Sequence, residues 1–199
     1  MQSIGDHIDR NAPARERILL TAHELFYREG IRATGIDRVI TESGVAKVTF
    51  YRHFPSKSDL ICAFLEHRHR RWMEWFVDAL GRHGADMSAL SQALAEWFNA
   101  PGFRGCAFIN SVAELGHVLP EVREISRRHK EDVAAAIAEL LPPSRRRLHD
   151  AQAVCVAMDG AIVRATFDAS PESALLAFKT IAGSMSRAHR PPAGRRLVK

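Results

Sequence analysis

The amino-acid sequence predicts an all-α protein in which a small N-terminal helical head is joined by one long helix to a larger helical body. Apolar residues recur at helical spacing from end to end, and no convincing alternating pattern typical of strands is present. Turn-forming pairs such as Pro101-Gly102 and Pro142-Pro143 divide the chain into segments of helix length. Near the N-terminus the segments are short, and a much longer one follows them.

The composition is that of a folded protein and excludes a disordered or membrane-spanning chain. Hydrophobic residues make up 46% of the 199 residues and charged residues 26%. No apolar run approaches the roughly 20 residues that a membrane span needs, and the N-terminus lacks a signal-peptide pattern. Three widely spaced cysteines, Cys62, Cys106 and Cys155, suit reduced thiols. We therefore expect a cytoplasmic protein without membrane contact, and we predict inert core thiols at Cys106 and Cys155, without nearby cations.

The net charge of +5 comes from one end of the chain. The five basic residues after residue 186 equal the whole excess, so the rest of the chain is close to neutral. We predict a flexible N-terminus over residues 1–13 and a basic flexible tail over residues 189–199. A case for nucleic-acid binding must therefore rest on local features.

The predicted head contains three short helices, over about residues 14–29, 34–43 and 47–54. Thr34 and Asp37 have the spacing of a capping box at the start of the second helix. Gly44 lies between the second and third helices, where a tight turn needs a residue without Cβ. This order indicates a helix-turn-helix, whose recognition helix can enter the DNA major groove.

A long fourth helix and a multi-helix body are predicted after Pro55. Ser56 and Asp59 give a second capping signal, and an apolar stripe then continues to Leu80. At 1.5 Å per residue this helix spans about 35 Å, enough to join the head to the body. The body helices are expected near residues 87–99, 105–116, 120–141, 145–168 and 171–188.

The head carries a local basic surface. No acid occurs from Ser43 to Ser58, whereas cations and hydroxyl-bearing side chains do occur there: Lys47, Thr49, Tyr51, Arg52, His53, Ser56 and Lys57. Such groups and a free helix N-terminus are what phosphate contacts use. An ordinary solvated helix face explains the same charges equally well when the charges are taken alone.

Residues 14–65, and above all the motifs at 34–40 and 43–60, closely resemble the DNA-binding head of the TetR family of transcription regulators. The resemblance implies a DNA-binding domain over residues 14–60, with its recognition unit at 35–54. The DNA contacts that it implies are phosphate contacts by Tyr51, His53 and Lys57, base-edge or backbone contacts by Lys47, Val48 and Thr49, and a contact by Thr34. Where the family often has Ser or Thr before the recognition helix, this chain has Ala46, at a cost of about 1 kcal/mol in capping.

The body resembles TetR-family regulatory domains in helix count and length. This implies an effector-binding and dimerisation domain over residues 61–188, and residues 105–110 with Glu114 look like a segment that recurs in one branch of the family. We expect a small apolar or aromatic effector. The candidate ligand-binding residues are Met73, Phe76, Trp97, Phe98, Phe103, Phe108, Asn110, Glu114, His117, Met158, Arg164 and Phe167. Plain core packing is the alternative for each apolar member of this set.

The last two long helices carry two apolar stripes. One consists of Val154, Cys155, Met158 and Ile162, and the other of Leu175, Phe178, Ile181, Ala182 and Met185. The family resemblance implies that this helix pair meets its two-fold copy as a four-helix bundle. Core packing within one subunit is the competing explanation, and both can be partly true.

The resemblance implies a homodimeric repressor that binds double-stranded operator DNA and is released by its effector, without enzymatic activity, cofactor or metal. Two alternatives stay open. Glu114 and His117, three residues apart on one helix face, are a possible acid–base pair of an enzyme. A DNA-binding adaptor without an effector is the other, and a solid body would favour it. His67, His69 and the adjacent arginines are expected to be solvated, because residues i and i+2 on a helix face different ways.

Overall fold

The chain is all-helical, as the sequence predicts. The computed structural model describes residue 9 and residues 11–188, with side chains as far as residue 185; the predicted tail at 189–199 and most of the predicted N-terminal segment lie outside these residues. Over the described residues the helices are α1 Ala14–Glu29, α2 Ile36–Ser43, α3 Lys47–His53, α4 Lys57–Arg82, α5 Met87–Phe98, α6 Ala107–Leu115, α7 Pro120–Ala138, α8 Arg147–Phe167 and α9 Glu172–Ala188. None of these helices combines the length and the apolar character needed to cross a membrane.

The head consists of α1, α2 and α3, which pack against one another. Phe50 and Phe54 lie one helical turn apart and are both buried, so the outer face of α3 is left to its other residues. Gly44 joins α2 to α3 with φ 63° and ψ 34°, a left-handed conformation that disfavours side chains with a Cβ. The predicted helix-turn-helix geometry is therefore confirmed.

One of the two predicted helix caps is wrong. The N-cap of α2 is Gly35, and no side chain caps this helix. The Thr34 hydroxyl instead donates to the Gly30 carbonyl at the end of α1, at 2.8 Å, and the residue is fully buried. A free carbonyl within reach satisfies this hydroxyl better than the start of α2 does. The second cap is confirmed, because Ser56 Oγ accepts from the backbone N–H of Asp59 at 3.1 Å.

Helix α4 belongs to both parts of the molecule. Its 26 residues span about 39 Å, slightly more than expected, because the helix runs through Gly81 to Arg82. It packs on α1 in the head and on α5, α6 and α7 in the body. This one helix therefore contacts both the head and the body.

The body is layered from α7 through α8 to α9, with α5 against α9 and α6 against α7. Helix α6 begins two residues later than predicted. The chain turns at Gly105, whose φ of 79° lies outside the helical region, and the helix starts after this turn. A Cβ at this position would also lie 2.7 Å from the Thr166 Cγ2 atom, which is too close.

Most residues of the two stripes predicted for dimerisation are core residues of a single subunit. Val154, Cys155, Met158 and Ile162 of α8 and Phe178 and Ala182 of α9 are buried. The competing explanation, core packing, therefore accounts for these six residues. The large apolar side chains that α8 and α9 leave exposed are a largely different set: Leu148, Val156, Val163, Phe167, Leu176 and Ile181.

Candidate nucleic-acid interface and body cavity

The outer face of α3 gathers most of the residues predicted to contact DNA. Val48 is 78% exposed and Tyr51 40% exposed. Lys47 and Arg52 are also exposed, whereas Thr49 and His53 are half-buried. Thr34 does not lie on this face, because its side chain is buried and its hydroxyl is bound to Gly30. A DNA contact by the Thr34 side chain is therefore not supported.

The cations on this face differ in their intramolecular partners. Lys47 Nζ lies 3.2 Å from Asp37 Oδ1 across the turn, but both side chains are mostly exposed, so this ion pair is weak and open to exchange. Arg52 makes no ion pair with any of the described residues. Arg38 on α2 is held by Glu29 and Glu42 and is thus less available.

Lys57 is bound within the head. Its Nζ donates to the Ile31 carbonyl at 2.6 Å, between the end of α1 and the start of α2. Partial burial lowers the pKa of this ammonium. An ammonium has two further N–H groups. Lys57 therefore stabilises the head internally, in addition to any phosphate contact.

Helix α6 of the body contacts the head at the turn after α1. Glu114 Oε2 accepts from the backbone N–H of Arg32 at 2.9 Å, and His117 Nε2 lies 3.4 Å from Arg32 Nη2. Glu114 also lines, with Asn110, an open cleft of about 230 Å³ between α1 and α6. The prediction that His117 binds a ligand is therefore not supported, because its ring contacts Arg32 of the head.

A second head–body contact runs through α1. The Tyr27 hydroxyl accepts from the backbone N–H of Arg104 and donates to the Gly105 carbonyl, both at 3.0 Å. The loop that starts α6 is thus tied to the head helix. The sequence gives no local signal for this contact, because the partners are far apart in the chain.

A small buried cavity lies in the body among α4, α5, α6, α7 and α8. Its volume is about 10 Å³, room for about one water molecule. It is lined by Arg68, Trp72, Trp97, Cys106, Ala107, Phe108, His129, Lys130, Met158 and Ile162. Three of the predicted ligand-binding residues are therefore brought together here: Trp97, Phe108 and Met158.

The other predicted ligand-binding residues lie elsewhere. Phe76, Phe98 and Phe103 belong to a cluster of aromatic rings around Trp72 and Trp97. Met73 is half-buried and does not line the cavity. Arg164 and Phe167 lie at the end of α8, where the guanidinium is 5.6 Å from a ring that is 65% exposed. These two are surface residues, because α8 presents this side away from the core.

Three polar residues of the cavity were missed by sequence reasoning: Arg68, His129 and Lys130. Arg68 was expected to be solvated, yet it is only 2% exposed. Its position gives the signal that could have found it, since it lies four residues after Phe64 and four before Trp72, within the apolar stripe of α4.

The cavity also changes the interpretation of Cys106. Lys130 Nζ lies 3.7 Å from Cys106 Sγ, so the expectation of a thiol without a nearby cation is wrong. Lys130 is distant in sequence, and only the packing of α6 on α7 brings it to the thiol. For Cys155, burial raises the thiol pKa to about 12, which fits an inert thiol.

The buried histidines beside the cavity are neutral. Burial, followed by the charge of Lys130, lowers the pKa of His129 to about 2, and this ring stacks on Phe108 with centroids 3.7 Å apart. Burial and the neighbouring Arg68 also hold the pKa of His23 well below its usual value. No group of three or more potential ligands is arranged to hold a metal ion in the part of the chain that the structure describes.

A helix-turn-helix with an exposed recognition helix, carried on a helical body, defines the class of helix-turn-helix transcriptional regulators. The family model of bacterial regulatory proteins of the tetR family matches residues 18–64. The crystal structure of SCO4454, a TetR-family transcriptional regulator from Streptomyces coelicolor, is 31% identical, with a TM-score of 0.77. That match covers 88% of this chain and 95% of SCO4454. The chain therefore belongs to the TetR family.

Two further proteins are similar to this chain, the first in fold and the second in sequence. Reduced NemR from Escherichia coli has a TM-score of 0.74 at 20% identity, covering 92% of this chain and 100% of NemR. An HTH-type transcriptional regulator encoded in the lacX 3' region of Lactococcus lactis is 26% identical over 133 residues, 64% of this chain and 67% of that protein.

Proposed function

We propose that this regulator is a homodimeric, cytoplasmic repressor that binds a palindromic operator and leaves it when a small molecule binds the body. DNA binding is assigned to residues 14–60, and effector binding with dimerisation to residues 61–188. The observation that carries the proposal is the course of α4, which begins at Lys57 in the head and passes Arg68 and Trp72 at the body cavity. A ligand that prefers one arrangement of the body would thus act on the head.

The DNA contacts are assigned by exposure and chemistry. Tyr51, His53 and Lys57 are proposed to contact phosphates, and Lys47, Val48 and Thr49 to meet base edges or the adjacent backbone. Arg52 is added as a phosphate contact, because it is exposed on α3 and has no ion-pair partner among the described residues.

Operator binding is tested by selecting bound fragments from the organism's own DNA and measuring their affinity. Arg52→Ala is expected to weaken binding to all sequences alike and to lower the salt slope by about one unit, because one phosphate contact is lost. Lys47→Ala is expected to alter sequence preference. Arg127→Ala, an exposed arginine of α7, is the matched control and should leave both quantities unchanged. An Arg52→Ala protein with an unaltered salt slope would contradict the phosphate assignment.

The dimer is proposed to form through α8 and α9. Val156, Val163 and Phe167 follow one another at spacings of seven and four residues, so they share one face of α8. Gly160 lies on the same face, and a Cβ there would meet nothing within 4 Å, which allows close approach of a partner helix. A second copy is the proposed occupant, because an exposed apolar face on α8 is unfavourable in water.

Transmission between body and head is proposed to use α6 as well as α4. Glu114 bonds the backbone of Arg32, and Tyr27 bonds the loop that starts α6. A shift of α6 around an occupied cavity would change both contacts. By linkage, effector and operator would then lower each other's affinity by the same factor, about 5- to 150-fold for a coupling of 1 to 3 kcal/mol.

Glu114→Ala is expected to reduce this mutual factor at least about threefold, because one contact through which α6 acts on the head is lost. The measurement is operator affinity with and without an effector identified by screening. Glu139→Ala, an exposed glutamate at the end of α7, is the control. A mutual factor equal to that of the unaltered protein would show that Glu114 has no part in transmission.

The small cavity volume favours a second candidate, a DNA-binding adaptor that responds to no effector. A volume of about 10 Å³ holds no organic molecule unless the body opens. The same screen decides, since failure of every ligand that binds the body to alter operator affinity would favour the adaptor. An enzyme is not supported, because Glu114 and His117 contact Arg32 of the head.

A further inference from the structure

The body cavity contains a buried charge without an opposite charge beside it. Arg68 is 2% exposed and lines the cavity. Its guanidinium carbon lies 4.1 Å from the centre of the Tyr27 ring, and its Nη1 lies 3.4 Å from His23 Nε2. No carboxylate among the described residues forms an ion pair with it. A buried cation held only by neutral groups is costly, and an added anion would relieve that cost.

The other polar groups around the cavity do not supply this anion. Lys130 is already balanced by Asp159, whose Oδ1 accepts from its Nζ. His129 and His23 are neutral, since burial lowers the pKa of each. The Trp72 indole also lines the cavity, and its buried Nε1–H has no acceptor among the described residues. The cavity wall therefore offers one positive charge without a carboxylate beside it and one indole N–H without an acceptor among the described residues.

We propose that the effector is a monoanionic carboxylate with an apolar or aromatic body, whose carboxylate is bound by Arg68 and the Trp72 indole N–H. This inference rests on the proposed function, because it specifies the effector of the same regulator. A planar guanidinium matches a carboxylate in two parallel hydrogen bonds. A dianion would leave one charge uncompensated. The cavity of about 10 Å³ must open for this ligand to enter, and the apolar part would then lie among Phe108, Met158 and Ile162.

The same residue connects the cavity with the head. Arg68 contacts Tyr27 and His23, both on α1, and Tyr27 in turn holds the loop that starts α6. An anion that draws the guanidinium into the cavity weakens these contacts with α1. Helix α1 of the head then loses its contacts with Arg68 of α4. An effector carboxylate bound to Arg68 would thus act directly on the head.

Matched pairs of small molecules test the inference without DNA. Phenylacetate is compared with phenylacetamide, cyclohexanecarboxylate with its amide, and octanoate with octanamide, so that shape is kept and charge removed. The intrinsic fluorescence of Trp72, Trp75 and Trp97 reports binding, because all three lie in the ring cluster beside the cavity. At least one carboxylate is expected to bind about 10- to 100-fold more tightly than its amide, the range for hydrogen bonds to a charged group.

Variants of Arg68 assign the effect to this side chain. Arg68→Met is expected to abolish the preference for the carboxylate while the protein stays folded, because an apolar side chain of similar length replaces an unbalanced charge. Arg68→Lys keeps the charge and is expected to keep a weaker preference, which covers the case in which the Met variant misfolds. Arg128→Gln, an exposed arginine paired with Glu66, is the matched control and should behave as the unaltered protein.

Three results would overturn the inference: amides that bind as well as their carboxylates, a folded Met variant that retains the preference, or no saturable binding of any of these carboxylates up to about 10 mM. Failure of the proposed function has a different signature. It would appear as an unliganded protein that selects no fragment from genomic DNA, a result that the DNA-free titration does not affect.

Discussion

Replacing Val156 with glutamate is expected to give a monomer whose operator affinity is roughly 100-fold lower, or lower still, than that of the dimer. Val156 is 73% exposed in the single subunit and lies on the outer face of α8 with Val163. In the proposed dimer this face meets its own copy, so each substitution places two carboxylates in an apolar contact. Two heads that bind one palindrome gain affinity from each other, and a monomer loses this gain.

Sedimentation analysis of the oligomeric state and operator titration at the same protein concentration measure the two effects. Val77→Glu is the matched control, since Val77 is 55% exposed on α4 and lies outside the proposed interface. It should leave both the dimer and the affinity intact. A Val156→Glu protein that remains a dimer would contradict this interface, and a monomer that still binds the operator tightly would contradict the dimer model of recognition.

Lowering the pH from about 7.5 to about 5.5 is expected to reduce the free energy of unfolding by about 1.4 kcal/mol for His129, with a further decrease from His23. Burial lowers the pKa of both side chains in the folded protein, that of His129 to about 2. In the unfolded chain they take up protons below about pH 6.5. The unfolded state therefore binds more protons over this range, and stability falls as the pH falls.

Denaturant unfolding at fixed protein concentration across this pH range measures the effect. His129→Leu is expected to remove about 1.4 kcal/mol of the pH dependence, because Leu binds no proton in either state. His149→Gln is the control, since the His149 side chain is 73% exposed. A His129→Leu protein with the full pH dependence would mean that His129 titrates in the folded protein much as it does in the unfolded chain.

The sequence predicted the helices and the head because their signals are local. Gly44 forces the turn between α2 and α3, Ser56 caps α4, and the spacing of Phe50 and Phe54 sets the buried side of α3. Each of these effects acts within a few residues of the chain. Helix existence and order followed from them, and the bounds shifted by a few residues where packing decides the last turn.

The parts that could not be predicted depend on distant partners. Thr34 was expected to cap α2, but the nearby end of α1 offers its hydroxyl a carbonyl. Glu114 and His117 contact the head only because α6 packs beside it. On α8 both faces are apolar, so periodicity alone did not separate the buried Val154 from the exposed Val156.

The burial of Arg68 could have been predicted from its position in the apolar stripe of α4, but its positive charge argued against burial. A cationic side chain within an apolar stripe is usually exposed to solvent or paired with an acid. The neighbouring histidines and arginines favoured the interpretation that Arg68 is exposed to solvent. The structure shows it buried against Tyr27. His67 and His69, also expected to be solvated, are half-buried, because α4 packs on α1 and α7 on either side of them. A polar residue at a core position of a helix is thus a marker for a site.

The measurement that tests the central claim most directly is the affinity for a genomically selected operator fragment with and without a saturating ligand that is known to bind the body. A ligand-responsive repressor predicts that the ligand lowers operator affinity roughly 5- to 150-fold and that operator DNA lowers ligand affinity by the same factor. Equal operator affinity in the presence and absence of the bound ligand would contradict the claim.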